Sequence, residues 1–181
     1  LYSRREATNK LANSAHKFGE IRHKDTHAIV VPQTGSERRK YLPIGYVNKD
    51  TVVSNAARVV YNAEPWLLGI LLSYIHMIWV RTVSGRLKTD MQYSNTLSYN
   101  TFPFPKISQT QKEKIEELVN IILDERDKEY LKTLAELYDP DKMPDGLKKA
   151  HENLDLYIES IYRDKPFSSD EERLEHLFKL Y

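Results

Sequence analysis

The stretch Val83 to Pro105, VSGRLKTDMQYSNTLSYNTFPFP, gathers side chains that can do recognition chemistry: cations, a carboxylate, amides, hydroxyls and aromatic rings, closed by two prolines. Within it Lys88 and Asp90 stand two residues apart. On an extended segment such residues project to the same side, presenting a donor and an acceptor together. That combination suits a G·C pair seen from the major groove, where guanine offers N7 and O6 as acceptors and cytosine its N4 amino group as donor. Residue type alone describes a surface ion pair or two solvated charges equally well. Around the pair, Arg86, Tyr93, Ser94, Asn95, Ser98, Tyr99 and Asn100 offer contacts for phosphates and base edges, with some of the tyrosines expected in the core.

Patterns for catalysis are missing. There is no glycine-rich phosphate loop, no nucleophile elbow and no histidine pair at metal-ligand spacing. Cysteine is absent, which removes disulfides and thiolate metal sites and is compatible with a reducing cytosol. His76 sits among Met77, Ile78 and Trp79 without a histidine or carboxylate three or four residues away, so a core histidine with one hydrogen bond is expected. Pro140-Asp141-Lys142 has the order of a nuclease carboxylate motif, but it falls in the turn YDPDKMPDG and lacks a second acid and lysine at short spacing. A recognition module with no catalytic residue, metal or cofactor of its own is the expectation.

The frame around these residues has 181 positions, enough to bury a real core, with the composition of a soluble globular protein. Net charge of +1 hides an asymmetry. Residues 1 to 105 carry 14 Lys and Arg against 7 Asp and Glu, and the remainder carries 13 against 19. A basic half of this kind suits a nucleic acid or another anionic surface, or complements an acidic neighbour within a larger protein. The N-terminus has neither an initiator Met nor a hydrophobic signal core, which suggests a segment of a longer, cytoplasmic protein.

In chain order, Ser3 to Phe18 has apolar residues at helical spacing with Gly19 as a stop. Thr26 to Val31 is a β-branched run ending at Pro32, followed by a turn around Gly35 carrying Arg38, Arg39 and Lys40. Tyr41 to Val47 and Arg58 to Tyr61 are further strand candidates. Pro65 opens a long apolar stretch to Val83 that approaches a membrane span in length, but His76 and Arg81 interrupt it, and a buried central helix is expected. Gly85 reads as its C′ stop, the following segment as extended, and Thr96 to Phe104 as a strand. Beyond Pro105 the spacing predicts helices over Thr110 to Leu137, broken near Asp127, over Leu147 to Tyr162, and over Asp170 to Leu180 with Ser168 or Ser169 as N-cap. The expected fold class is α+β: a small β-sheet with a long central helix over residues 1–105, then an all-α helical domain over 106–181.

The runs SERRKYLPIGYV, IHMIWVRTVSGRLKTDMQYSNTLSYNTFPFP, LAELYDPDKMPDGLKKAHENLD and YRDKPFSSDEERLEHLFKLY resemble the C-terminal part of MmeI-type restriction-modification enzymes. In that family one polypeptide joins an endonuclease domain, a helical connector, an S-adenosylmethionine-dependent adenine methyltransferase domain, a target recognition domain and a helical C-terminal domain. The resemblance implies that this chain holds the last two. Double-stranded DNA and the parent's methyltransferase domain are then its partners. S-adenosylmethionine is expected in the parent, with Mg2+ if the parent also cuts DNA. The Asn-Pro-Pro-aromatic methyltransferase signature is absent, and NTFPFP is not a version of it. The family's base-reading positions fall on Lys88 and Asp90, with further readers around Gln33 and around Asn55 and Ala56. Asn and Gln suit adenine, whereas Ala permits close approach or touches a thymine methyl. Arg38, Arg39, Lys40, Arg86, Tyr93, Ser94, Asn95 and Asn100 are expected to contact the DNA backbone or support the readers. The alternative is an interaction module whose acidic helices dock on the methyltransferase core or another subunit.

Overall fold

The computed structural model describes residues 6–17 and 21–181. Its architecture is α+β, with two small antiparallel sheets and a set of packed helices. A short helix α1 (Glu6–Lys10) and a 3-10 turn at Ala12–Ser14 occupy part of the expected first helix. Both ends of that expectation, at Ser3 and Phe18, lie outside the described residues, as does Gly19.

Strands β1 (Ala28–Pro32), β3 (Gly45–Val47) and β4 (Ala57–Tyr61) form one sheet in the order β3-β1-β4. Strands β2 (Thr34–Gly35), β5 (Gly85–Leu87) and β6 (Asp90–Gln92) form the second, in the order β2-β6-β5. Ile29 and Val31 alternate onto the core face of the first sheet and are almost fully buried. Tyr41 and Leu42, expected in a strand, are instead buried in an irregular segment. The Tyr41 hydroxyl donates to Asp155 at 2.7 Å and its ring stacks on His151 at 4.2 Å, which draws this segment into the helical half. Pro43, which has no N–H for a ladder, then delays the strand to Gly45.

The expected central helix is two helices, α2 (Pro65–Leu72) and α3 (Tyr74–Val83), meeting at 62°. Ser73 makes the break by capping both. Its N–H bonds Ile70 O at 3.2 Å while its hydroxyl donates to the same carbonyl at 2.6 Å, and its oxygen also accepts from His76 N at 3.4 Å. No single helix among the described residues is long and apolar enough to cross a membrane. The bent pair has the length and composition, but its residues are mostly buried against other helices.

The remaining helices are α4 (Gln109–Asp127), α5 (Leu134–Leu137), α6 (Asp145–Tyr162) and α7 (Asp170–Leu180). A capping box of Ser108 and Gln111 starts α4, and a second of Thr133 and Glu136 starts α5 after the break expected near Asp127. Ser169 caps α7 through Glu172 N at 3.2 Å, under an acidic first turn that suits the helix dipole.

The sheets and the helices share one hydrophobic core. Gly69 marks its tightest point: a Cβ there would lie 2.9 Å from Val119 Cγ2 and closer still to Ile115 Cγ2, so α2 and α4 approach at a distance only glycine permits. A buried polar network crosses the same junction. Asp155 on α6 accepts from Tyr41 Oη and from Tyr74 N, each at 2.7 Å, and so anchors both the irregular segment and the first turn of α3. Arg126 donates to Ile44 O at 3.0 Å and to the Tyr138 hydroxyl, which bonds His151 Nε2 at 2.6 Å. These contacts pair the buried carboxylate, guanidinium and hydroxyls, while His151 Nδ1 is buried without a hydrogen-bond partner.

Candidate nucleic-acid interface

Gln33 is the residue at which the two sheets meet. Its N–H donates to Ala56 O at 3.0 Å, extending the β1–β4 ladder one pair past Pro32 and Ala57. Its carbonyl accepts from Tyr93 N at 2.7 Å, extending the β2–β6 ladder one pair past Thr34 and Gln92. Three segments far apart in sequence are thereby joined: Gln33 itself, the Asn55–Ala56 turn that enters β4, and the end of the β5–β6 hairpin. Ser54 shapes the turn, its carbonyl accepting from Ala57 N at 3.3 Å and its hydroxyl from Ala56 N at 3.4 Å.

Lys88 and Asp90 are not on one extended segment, as their spacing suggested. Lys88 and Thr89 form a two-residue turn closed by the Leu87 and Asp90 pair. Such hairpins require positive φ at the first turn position, and Lys88 adopts it at 57°. The two side chains therefore share a hairpin tip, one in the turn and one at the base of it. Neither makes an ion pair with the other or with a neighbour among the described residues. The surface ion pair that residue type allowed is not formed.

Strand alternation sets the rest of the tip. Met91 is buried, so Asp90 and Gln92 face the other way, alongside their cross-strand partners Leu87, Gly85 and Thr34. Gln92 Nε2 donates to Thr34 Oγ1 at 2.9 Å, which leaves the amide oxygen free to accept. Above Gly85 there is open space, with nothing within 4 Å of a Cβ placed there, and its φ is not positive. Gly85 is thus the first residue of β5 rather than a helix stop. The helix ends at Ser84 in extended conformation, with Ser84 N bonded to Val80 O at 3.0 Å. Gln92 was passed over in the sequence because its neighbours were read as one extended run; its place two residues after Asp90 was the available clue.

The expected supporting residues divide into groups. Arg86 braces the hairpin, donating to Thr89 O at 3.0 Å and reaching Glu37 at 3.5 Å. Tyr93 is buried and its hydroxyl lies 3.3 Å from His76 Nε2. Burial pushes His76 down to about 4, so the ring is neutral; with its Nδ1 donating to Leu71 O at 2.9 Å, Nε2 is left to accept from Tyr93. The core histidine thus ties the end of β6 to the helix break.

Residues Thr96 to Phe104 do not form the expected strand. Asn95–Tyr99 is a π-helical turn, with Ser94 Oγ accepting from Leu97 N at 3.4 Å and Asn100 following as its C-cap. Ser98 Oγ takes Ser94 N at 2.9 Å and lies 2.8 Å from Ser84 Oγ. These hydroxyls supply local partners for the backbone in place of a ladder. Asn95 and Asn100 are exposed beside them.

Arg38, Arg39 and Lys40 turn toward the helices. Arg38 pairs with Asp141 at 2.7 Å, Arg39 donates to Ala135 O at 3.1 Å, and Lys40 lies over the rings of Tyr41 and Tyr74. Part of the basic excess of the first half is therefore matched by the second half of the same chain. Asp141, in the turn whose order suggested a nuclease motif, is the partner of Arg38. Among the described residues no cluster of three or more His, Asp or Glu is arranged to hold a metal.

Comparison with known proteins agrees with this organisation. Residues 1–106 match the family model of the MmeI target recognition domain, and residues 107–181 match that of the MmeI C-terminal domain. DNA methyltransferase A of Bacillus subtilis (strain 168) is 53% identical over 176 residues, which is 97% of this chain and 20% of that protein. The solved structure of the type IIL restriction-modification enzyme MmeI in complex with DNA superposes with a TM-score of 0.93 at 38% identity, covering 99% of this chain and 24% of that one. This chain spans between a fifth and a quarter of the relatives it matches. With family models covering both halves of its length, the chain belongs to the MmeI family and consists of that family's target recognition domain followed by its C-terminal domain.

Proposed function

We propose that this chain is the sequence-reading module of an S-adenosylmethionine-dependent DNA adenine-N6 methyltransferase of the type II restriction-modification kind, and that it binds double-stranded DNA in the major groove. The observation that carries the proposal is the convergence on Gln33, which joins the Asn55–Ala56 turn and the β5–β6 hairpin into one edge. Support comes from the two unpartnered charges at the hairpin tip and from the similarity to an enzyme solved on DNA.

In this reading Lys88 donates to guanine O6 and N7 while Asp90 accepts from the N4 amino group of the paired cytosine. Gln33, Asn55 and Ala56 face a second position, and Gln92, with its amide oxygen free, joins them as a reader. Arg86, Ser94 and Tyr93 hold the readers in place. Asn95 and Asn100, exposed on the neighbouring turn, are assigned to the DNA backbone. Arg38, Arg39 and Lys40 fix the helical half against the reading half, so their effect on DNA is through the frame.

The methyl donor S-adenosylmethionine belongs with the parent's methyltransferase domain, whose Asn-Pro-Pro-aromatic signature does not occur in these 181 residues. The parent acts in the cytoplasm, where its substrate is. The test is equilibrium binding of this chain to duplex DNA across a salt series. Weak binding that falls steeply with salt is expected, because phosphate contacts dominate and the remaining domains are absent. Failure to bind at low salt, or binding indifferent to salt, overturns the proposal.

A further inference from the structure

We infer that Ser84 and Ser98 are positioning residues for DNA reading: their paired hydroxyls latch the root of the β5–β6 hairpin and so aim Lys88 and Asp90 at their base pair. This rests on the proposed reading role of the hairpin tip and adds to it two residues that touch no DNA themselves.

The hairpin is held unevenly. Its inner strand β6 is fixed by the ladder to Thr34 and Gly35 and by the buried Met91. The outer strand β5 is an edge, exposed at each residue and paired with β6 alone. It also begins at Gly85, where no side chain restricts the backbone and nothing lies within 4 Å of a Cβ. Arg86 braces the far end, bonding Thr89 O within the hairpin and reaching Glu37 at 3.5 Å, but both contacts are exposed. The root needs a fixing of its own.

One hydroxyl supplies it. The legs of the hairpin leave the body at Ser84, just before β5, and at Ser94, two residues after Gln92. Ser98 Oγ accepts from Ser94 N at 2.9 Å and lies 2.8 Å from Ser84 Oγ, so it joins both legs at once. Ser98 is fully buried and Ser84 nearly so, which removes water as a competing partner. Ser84 N bonds Val80 O at 3.0 Å, which refers the latch to α3 and the core. The tip lies four residues beyond Ser84, roughly 13 Å along an extended strand. A swing of about 10° at the root therefore moves Lys88 by about 2 Å, more than a hydrogen bond tolerates. Gln33 is fixed separately, by its backbone bonds to Ala56 and Tyr93, and neither of these passes through the two serines.

The experiment uses the full-length parent enzyme, with binding measured on its methylated duplex and on duplexes altered at one base pair at a time. The pair at which Lys88→Gly loses discrimination is the one the hairpin reads. At that pair Ser98→Ala and Ser84→Ala should each lower discrimination by about 3- to 10-fold, the worth of a hydrogen bond. Discrimination at the other pairs should stay at the wild-type level. Because both serines act through one contact, the double variant should be no worse than the poorer single variant. Ser84→Ala leaves the Ser94 bond to Ser98 in place and serves if Ser98→Ala does not fold. Full discrimination at the hairpin's pair overturns the inference, and so does an equal loss at every pair, which would make the serines general supports of the fold. Losses that add in the double variant also overturn it, because the two hydroxyls then act apart. If Lys88→Gly changes discrimination at no pair, the reading role of the hairpin falls, an outcome distinct from any result for the serines.

Discussion

Replacing Lys88→Gly should separate recognition from stability. Lys88 holds φ at 57° in the first position of the hairpin turn, a conformation that costs an L-residue about 1–2 kcal/mol and glycine almost nothing. Glycine loses about 0.5–1 kcal/mol through the greater freedom of the unfolded chain, so the net change is between zero and about 1.5 kcal/mol of stabilisation. The side chain has no intramolecular partner to forfeit, and the Arg86 bond to Thr89 O remains. DNA reading should suffer in the opposite sense, since a specific base contact contributes about 1–3 kcal/mol of discrimination, or roughly 5- to 150-fold. Urea unfolding of the chain, paired with binding of the full-length parent to cognate and singly altered duplexes, measures both. A variant that loses more than about 1 kcal/mol of stability would show that the lysine supports the turn rather than being strained in it. One that keeps full discrimination would show that it reads nothing.

Gly69→Ala should destabilise the chain by about 1–3 kcal/mol, because the added methyl meets Val119 and Ile115 across the α2–α4 approach; an unchanged urea midpoint would mean the helices part freely. Asp155→Asn should change how stability depends on pH. Burial pushes the Asp155 carboxyl up from 3.8 to about 6, against the hydrogen bonds from Tyr41 and Tyr74 and the charge of Lys40, with Glu159 adding to the rise. Because the folded chain holds the proton more tightly than the unfolded chain, this group favours folding fully below its ordinary value and loses that contribution as pH rises through about 6. Wild-type stability relative to the asparagine variant should therefore fall by about 2 kcal/mol between pH of roughly 4 and 7; a difference constant with pH contradicts it.

Much of the helical half was legible because its rules are local. A serine, Ser168 or Ser169, before three acids marked the start of α7, and the structure makes it Ser169; the spacing of Ile115, Val119 and Ile122 marked the buried face of α4. The first half obeyed tertiary rules more often. Nothing in LLSYI distinguishes a serine inside a buried helix from one that ends one helix and starts the next; the break capped by Ser73 is also held by Asp155, which receives Tyr74 N from eighty-one residues further along the chain. Tyr41 was drawn out of a strand by the same carboxylate. The run after Ser94 looked like a strand from its β-forming residues, yet hydroxyls at Ser94 and Ser98 closed a π turn instead.

The interface was legible in a similar, partial way. Donor and acceptor types at Lys88 and Asp90 pointed to a base pair, but the argument from extended geometry was mistaken, since a lysine in a positive-φ turn has no sequence mark of the kind Asn-Gly provides. The meeting of Gln33 with Ala56 and Tyr93 depends on two ladders converging at one residue, which no local pattern announces. The basic excess suggested a polyanion, and the structure gives Arg38 and Arg39 to the helical half while leaving Lys88 and Arg58 unpaired.

The most direct test of the reading edge is to exchange its two charges. In the full-length parent, Lys88→Glu together with Asp90→Arg reverses donor and acceptor at the hairpin tip, and sequencing of methylated DNA reports the new site. The account predicts that one position of the methylated sequence changes from G·C to C·G while the other positions stay as they were. An enzyme that is active on its original sequence after the exchange would contradict it.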